Sequence, residues 1–181
     1  MKKILLFVIT LLLISCNLSN TPKDKVEEYL SKYNALDESM MLEIDTMVAG
    51  EDLSVDNKEI YKKVLLRQYE NMKYEIKDES INGDKAEVKV KVTVFDLYKM
   101  ERESQNYMNE NQNEFNNVNN LFDTNLYNKY RLNKMLETND RVEYDVKFYL
   151  KKKDDNWTLI EPNRDVLEKI HGIYDYELSN S

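Results

Sequence analysis

The chain has 181 residues, of which 34 are acidic and 26 basic, and its formal net charge at pH 7 is −8. This acidity argues against a nucleic-acid-binding protein, because such proteins present basic patches to the phosphates. The single cysteine excludes an internal disulfide framework, so a hydrophobic core has to stabilise the fold.

The N-terminal end has the pattern of a secretory signal. Lys2 and Lys3 precede an apolar run, Ile4–Ile14, that only Thr10 interrupts. A run of this size is too short to cross a bilayer, which takes ~20 apolar residues, but it matches the apolar core of a signal, ~7–15 residues. We therefore expect the protein to be exported.

The run ends in Leu13-Ile14-Ser15-Cys16, which resembles the lipobox of bacterial lipoproteins. This resemblance implies that Cys16 is the lipidation site, that residues 1–15 are a lipoprotein signal peptide, and that residues 16–20 are a lipidated spacer. The partner of the anchor would be the cell membrane or the outer membrane, on its extracytoplasmic side. An ordinary signal peptide with an incidental cysteine is the alternative.

Removal of residues 1–15 would leave 24 basic against 34 acidic side chains. Such an acidic body is expected to stay in water, not to lie flat on anionic lipid, while the lipid tethers it.

Residues 21–181 predict a single α+β domain that begins with three helices. Thr21 and Pro22 suit the N-cap and first position of a helix that ends near residue 34. Apolar residues at helical spacing predict two more helices, at 38–48 and about 55–72. Their methionines indicate core packing; a soft-metal site is the less favoured interpretation.

Two strands are predicted next, at 73–81 and 85–96. Asn82-Gly83-Asp84 favours a tight turn between them, because Asn and Gly adopt positive φ at low cost. The second strand alternates strictly, which predicts one buried and one solvated face. Its predicted buried residues are Ala86, Val88, Val90, Val92 and Val94.

Residues 97–139 contain twelve Asn residues and neither Gly nor Pro. We expect an Asn-rich helical insertion here, broken near 109–113, although Asn is a weak helix former. The apolar residues between 115 and 130 follow roughly helical spacing. A mobile loop is the alternative. The insertion could be a lid, a partner-binding arm, or simply a solvated crossover between two hairpins.

The second hairpin combines 141–151 with a final strand at 157–161. In its first strand, Tyr144, Val146, Phe148 and Leu150 share one face. A C-terminal helix at about 164–170 is expected to end at His171-Gly172. We expect the histidine to interact with the helix dipole, not to act as a general base.

This order of elements resembles the nuclear-transport-factor-2-like and cystatin-like domains found in small uncharacterised lipoproteins. The resemblance rests on Thr21-Pro22 through Tyr29-Leu30 at the start and on Lys151–Ile160, with Trp157, at the end. It implies a cone-like fold, in which N-terminal helices pack on a curved antiparallel sheet of about four strands. The long insertion and the third early helix depart from the pattern.

No catalytic site, metal site or cofactor is predicted. The chain has one histidine, its cysteine is assigned to the lipid, and no serine lies in a recognisable nucleophile elbow. The acidic residues Asp37, Glu38, Glu43 and Asp45 lack the spacing of a calcium loop and are interpreted as a solvated helix surface.

We therefore expect a non-enzymatic module that binds an envelope protein or peptide, with the thirteen tyrosines as candidate interface residues. The alternative is a small-molecule binder with an enclosed apolar cavity in the cone near Trp157. An enzyme would need clustered carboxylates in that cavity. The sequence does not identify the ligand-binding residues.

Overall fold

Three helices open the part of the chain that the computed structural model describes, residues 20–177. They are α1 (Pro22–Ala35), α2 (Glu38–Gly50) and α3 (Val55–Glu70). Each helix begins at a side-chain cap, because Thr21, Asp37 and Ser54 accept hydrogen bonds from backbone N–H groups of the first turn. All three predicted helices are confirmed. The predicted signal peptide and Cys16 lie outside the described residues.

The helices are followed by a four-stranded antiparallel sheet in the order β1-β2-β3-β4. Its strands are β1 (Lys73–Asn82), β2 (Lys85–Phe95), β3 (Arg141–Lys153) and β4 (Asn156–Leu159). The predicted turn joins β1 to β2, and Gly83 has φ +61° in it. The α+β class, with N-terminal helices and a curved antiparallel sheet, is confirmed.

The insertion between β2 and β3 is helical. It consists of α4 (Leu97–Glu110), a 3-10 turn (Gln112–Phe115) and α5 (Thr124–Glu137). Helices α4 and α5 pack against each other, and α5 packs against α3. They bury a second apolar cluster, separate from the main core: Val64, Phe95, Leu97, Met100, Leu132 and Met135. The predicted break in the insertion is confirmed.

The expected helical spacing is wrong for residues 116–123, which form a loop at the tip of the insertion. In this tip loop, the Asn117 side-chain oxygen accepts hydrogen bonds from the N–H groups of Asn119 (2.9 Å) and Leu121 (3.2 Å). Asparagine side chains compete in this way with helical backbone bonds. As a result, Val118 is fully exposed and does not pack on a helical face.

The main core lies on the inner face of the sheet, under α1 and α6 (Arg164–His171). The alternating residues predicted to be buried in β2 and β3 are all buried, which confirms both faces. From α1, Val26, Leu30 and Tyr33 pack into this core. The predicted helix end is also confirmed, because Gly172 caps α6 with φ +74°.

The two ends of the sheet carry different parts of the chain. One end carries the β1–β2 and β3–β4 turns, and we call it the turn end. There, Lys85 of β2 pairs with Lys151 of β3, and Asn20 donates a hydrogen bond to the carbonyl of Asp155 in the β3–β4 turn (2.7 Å). At the other end, Phe95 pairs with Arg141, and the insertion begins. We call this the insertion end. At ~3.3 Å per residue, β2 separates the two ends by about 30 Å.

Candidate functional site

A surface cleft of about 280 Å³ lies at the insertion end, between the insertion and the main body. The main body contributes the apolar residues Met47, Leu53, Leu65 and Ile173 to its walls. The insertion contributes Leu97, Leu132 and Met135. We call this site the insertion cleft.

Helix α3 positions the cleft because one of its faces packs into the main core and another packs into the second apolar cluster. Leu65 and Tyr69 belong to the main core, whereas Val64 belongs to the second apolar cluster. Tyr61 contacts both clusters and lines the cleft where they meet. A helix with apolar residues on two faces can join two cores, and the gap between those cores is the cleft.

The hydroxyl of Tyr61 forms no hydrogen bond with any described residue of the chain. Burial raises the pKa of Tyr61, and the nearby charge of Glu51 adds to this effect while Arg131 opposes it. The phenol is therefore protonated at neutral pH. It offers the cleft a hydrogen-bond donor that no residue of 20–177 uses.

Arg131 is already neutralised inside the cleft. Its guanidinium Nη1 donates to Glu101 Oε2 at 2.7 Å, and its Nε donates to Asn128 Oδ1 at 3.0 Å. Glu51, at the end of α2, is exposed and forms no ion pair with the described residues. The cleft therefore has a net negative charge, which disfavours an anionic ligand and favours an uncharged or basic one.

His171 lines the cleft as a neutral side chain. Its Nδ1 lies 2.6 Å from the hydroxyl of Tyr69. Burial lowers the pKa of His171 to about 4, although the charge of Glu168 acts in the opposite direction. Burial also raises the pKa of Tyr69, so this hydroxyl keeps its proton.

The hydrogen bond with Tyr69 selects one tautomer of His171. The phenol has one proton and no other acceptor among the described residues, so it donates to Nδ1. The imidazole proton then resides on Nε2, a second donor that no described residue uses. We expected His171 to interact with the dipole of its helix. This expectation is wrong at neutral pH, because the buried ring carries no charge there.

The cleft does not lie where the cone interpretation placed a cavity. Trp157 is buried in the main core and is not among the residues that line the cleft. The inner face of the sheet is filled there, because α1 packs Val26 and Leu30 into the same core. A shallow surface depression beside Tyr29 and Lys32 borders Trp157.

The other residues considered from the sequence have structural contacts. Asp37 caps α2, and Asp45 pairs with Lys62 at 2.6 Å. Met40 and Met72 lie in the main core. Within residues 20–177, no group of His, Cys, Asp and Glu side chains is placed to hold a metal ion, and no helix is long and apolar enough to cross a membrane.

Sequence reasoning missed Tyr61 and Arg131. Tyr61 lies in the apolar stripe of a predicted helix, and Arg131 lies in the insertion, so each has an ordinary local explanation. Their distance along the chain from His171 left no local pattern that could have joined the three residues.

No family profile matches this sequence, and no curated protein is similar to it. Among solved structures, the chain is similar to the candidate lipoprotein YcdA of Bacillus subtilis, with 16% sequence identity and a TM-score of 0.40. The alignment covers 83% of this chain, which spans only 47% of the length of that protein. A likeness this weak carries no argument about function.

Proposed function

We propose that this protein is a lipid-anchored, extracytoplasmic and non-enzymatic module that binds a segment of a protein or peptide in the insertion cleft. The observation that carries the proposal is that Tyr61 and His171 line the cleft between apolar walls, while no described residue hydrogen-bonds to the Tyr61 hydroxyl or to His171 Nε2. Such a pocket suits an apolar side chain whose neighbouring backbone carbonyls accept hydrogen bonds.

The charges of the cleft narrow the partner to an uncharged or basic segment. Arg131 is paired with Glu101, which leaves Glu51 as the unbalanced charge. A basic residue beside the anchoring side chain would approach this carboxylate, whereas an acidic residue would be repelled. Electrostatic complementarity of this kind selects partners more than it adds affinity.

The state of His171 supports a binding role over a catalytic one. A general base works best with a pKa near the operating pH. Burial holds the pKa of His171 at about 4, so the ring is a weak base at neutral pH. Its Nδ1 is also occupied by Tyr69.

The lipid anchor is tested at Cys16. In phase separation with a cloud-point detergent, we expect the full chain to enter the detergent phase and Cys16→Ala to enter the aqueous phase. Ser19→Ala, which keeps the cysteine, is the control and should behave as the wild type. If Cys16→Ala partitions like the wild type, the anchor is wrong.

The cleft is tested by photocrosslinking in the native cell. A photoreactive amino acid at Ile173, on the rim of the cleft, should give a discrete adduct. Tyr61→Phe removes only the unused hydroxyl, so it should weaken this adduct without lowering stability. Tyr149→Phe, on the outer face of the sheet, is the matched control. An adduct that Tyr61→Phe leaves unchanged would exclude the cleft as the binding site.

A small-molecule ligand is the second candidate, because the same unused donors could hold a polar group while the apolar walls hold the ligand body. Native mass spectrometry of the protein distinguishes the two. A constant excess mass that Tyr61→Phe reduces would favour a small molecule. A spectrum at the sequence mass, together with the Ile173 adduct, would favour a protein or peptide.

A further inference from the structure

Strand β3 has one edge that the sheet covers only in part. On one side, β2 pairs with β3 from Arg141 to Lys151. On the other side, β4 pairs only with Leu150–Lys153, at the turn end. No strand within residues 20–177 pairs with 141–148 on that side, and we call this stretch the open edge. An open strand edge presents backbone N–H and carbonyl groups that can pair with another chain.

The backbone groups of Glu143, Asp145 and Lys147 point out of the open edge. In an antiparallel strand, successive residues direct these groups to opposite sides. The Tyr149 carbonyl accepts from the N–H of Ile160 on the β4 side (2.8 Å), so the odd-numbered residues of β3 face away from β2. No group within residues 20–177 hydrogen-bonds to the N–H or carbonyl of residues 143, 145 and 147. These six groups are therefore available to a further strand.

The open edge lacks the features that interrupt the other edges of the sheet. At the opposite side, β1 has a register shift between Ile76 and Asp78, and β4 is only four residues long. By contrast, β3 pairs with β2 without a shift along its length. A groove of about 510 Å³ lies beside the open edge, between Val146 and the start of α6 at Asp165. Bulges and short strands protect an edge from pairing, and the open edge has neither.

The residues of the open edge are complementary to a second copy of themselves. Two β3 strands can pair antiparallel with Val146 of each copy opposite Val146 of the other. Asp145 of each copy then lies opposite Lys147 of the other, on the solvated face of the sheet. These are residues whose backbone groups point outward, so each such pair exchanges two hydrogen bonds. Opposite charges that face each other across two strands stabilise the pairing.

Charge selects this register over its neighbours. Asp145 is exposed and forms no ion pair with the described residues. Lys147 contacts Glu87 at 3.1 Å, but its side chain is 53% exposed and can reach a second carboxylate. Moving the second copy by two residues would place Asp145 opposite Asp145, or Lys147 opposite Lys147, and like charges in these positions repel. Because Ile160 occupies the position beside Tyr149, the pairing is limited to residues 144–148 of each copy.

We propose that two copies of this chain associate through their open edges, about a two-fold axis at Val146, so that their sheets become continuous. None of the residues 144–148 lines the insertion cleft. The inference therefore goes beyond the proposed function and can fail without it. The dimer would present two insertion clefts, which would raise its avidity for a partner with two binding segments.

Charge reversal, alone and in a mixture, tests the pairing. The full chain is studied by sedimentation equilibrium in a large molar excess of density-matched detergent micelles, so that two chains rarely share a micelle by chance. The wild type should show a concentration-dependent equilibrium of monomer and dimer. Asp145→Lys or Lys147→Asp places like charges opposite each other twice, so each variant alone should dimerise at least several-fold more weakly. An equimolar mixture of the two variants should form heterodimers with nearly the wild-type affinity, because each basic side chain then lies opposite an acidic one.

The controls are Glu59→Lys and Lys129→Asp, which make the same charge changes at exposed positions of α3 and α5 and should dimerise like the wild type. A monomeric wild type, single variants that dimerise fully, or controls that are weakened equally would each overturn the proposal. A mixture that stays monomeric would also overturn it. If a single variant does not fold, the double variant Asp145→Lys/Lys147→Asp replaces the mixture. Its dimerisation would support the register, and a folded monomer would overturn it.

Discussion

The Tyr69 hydroxyl lies 2.6 Å from Nδ1 of His171, and this contact fastens α3 to the end of α6 beside the cleft. The preceding residue, Gln68, reinforces the junction. Its Nε2 donates to the carbonyls of His171 (2.9 Å) and Phe95 (3.1 Å), and its Oε1 accepts from the N–H of Phe95 (3.0 Å). Two neighbouring side chains of one helix thus fix the ends of α6 and β2.

The buried neutral His171 predicts a pH-dependent stability. Its pKa falls from 6.5 to about 4 on folding, so between these values the unfolded chain binds more protons than the folded one. The contribution of neutral His171 to the free energy of unfolding is therefore complete above pH 6.5 and is lost as the pH falls to about 4. The loss is at most about 3 kcal/mol. His171→Asn keeps an acceptor for Tyr69 but does not titrate, so it should lack this loss.

Urea unfolding at pH 7.5 and pH 4.5 measures this difference. Carboxylates also titrate in the interval, so the quantity to compare is the wild-type free energy of unfolding minus that of His171→Asn. We expect this difference to fall on acidification. A difference that stays constant would mean that His171 is solvated in the folded state.

Gln68 predicts a large loss of stability on truncation. Gln68→Ala would leave one N–H and two carbonyls without partners in a mostly buried position. Each unsatisfied buried group costs about 1–3 kcal/mol, so we expect a total loss of about 3 kcal/mol or more in urea unfolding. Gln105→Ala, on the exposed face of α4, is the matched control and should change stability by less than about 0.5 kcal/mol. Similar losses for both variants would contradict a bridging role for Gln68.

The fold was largely predictable because its elements follow local rules. The strict alternation from Ala86 to Val94 identified a half-buried strand, and Asn82-Gly83 identified its turn. The tip loop was not predictable in the same way. Phe115, Val118 and Phe122 have helical spacing, but the hydrogen bonds of Asn117 outweigh that weak pattern.

The candidate site could not be predicted from patterns in the sequence, because tertiary packing brings its residues together. Tyr61, Arg131 and His171 lie on three helices that meet only when the insertion folds back on α3. The neutrality of His171 likewise follows from burial and from Tyr69, and neither is visible in the dipeptide His171-Gly172. The sequence alone predicts that each of these residues lies on a helix, but it does not predict that the three residues lie side by side.

The three glycines predict a graded series on substitution by alanine. At Gly172, where φ is +74°, a Cβ would lie 2.3 Å from the backbone oxygen of Phe95 and 2.2 Å from Gln68 Nε2. We expect Gly172→Ala to cost about 2–4 kcal/mol, since strained φ and overpacking combine. Gly83 has φ +61° with no atom nearby, so Gly83→Ala should cost only about 1 kcal/mol. Gly50 has neither constraint, and Gly50→Ala should be neutral or slightly stabilising. Thermal unfolding measures the order, and a Gly172→Ala variant no weaker than Gly83→Ala would show that the α6–β2 junction is loose.

The tip loop predicts a local effect that leaves global stability unchanged. Asn117→Ala removes two side-chain hydrogen bonds within an exposed loop, so it should favour local opening while the global unfolding midpoint stays the same. A loss of about 1 kcal/mol corresponds to roughly fivefold more of the open form. Limited digestion with chymotrypsin, at Leu121 and Phe122, should therefore accelerate by roughly that factor. Asn119→Ala is the matched control, because the Asn119 side chain forms no hydrogen bond with the described residues, and its cleavage rate should equal that of the wild type. If Asn117→Ala were cleaved no faster than Asn119→Ala, the loop would be held by its backbone hydrogen bonds, such as that from Asp123 N–H to the Phe115 carbonyl (2.7 Å), and not by the Asn117 side chain.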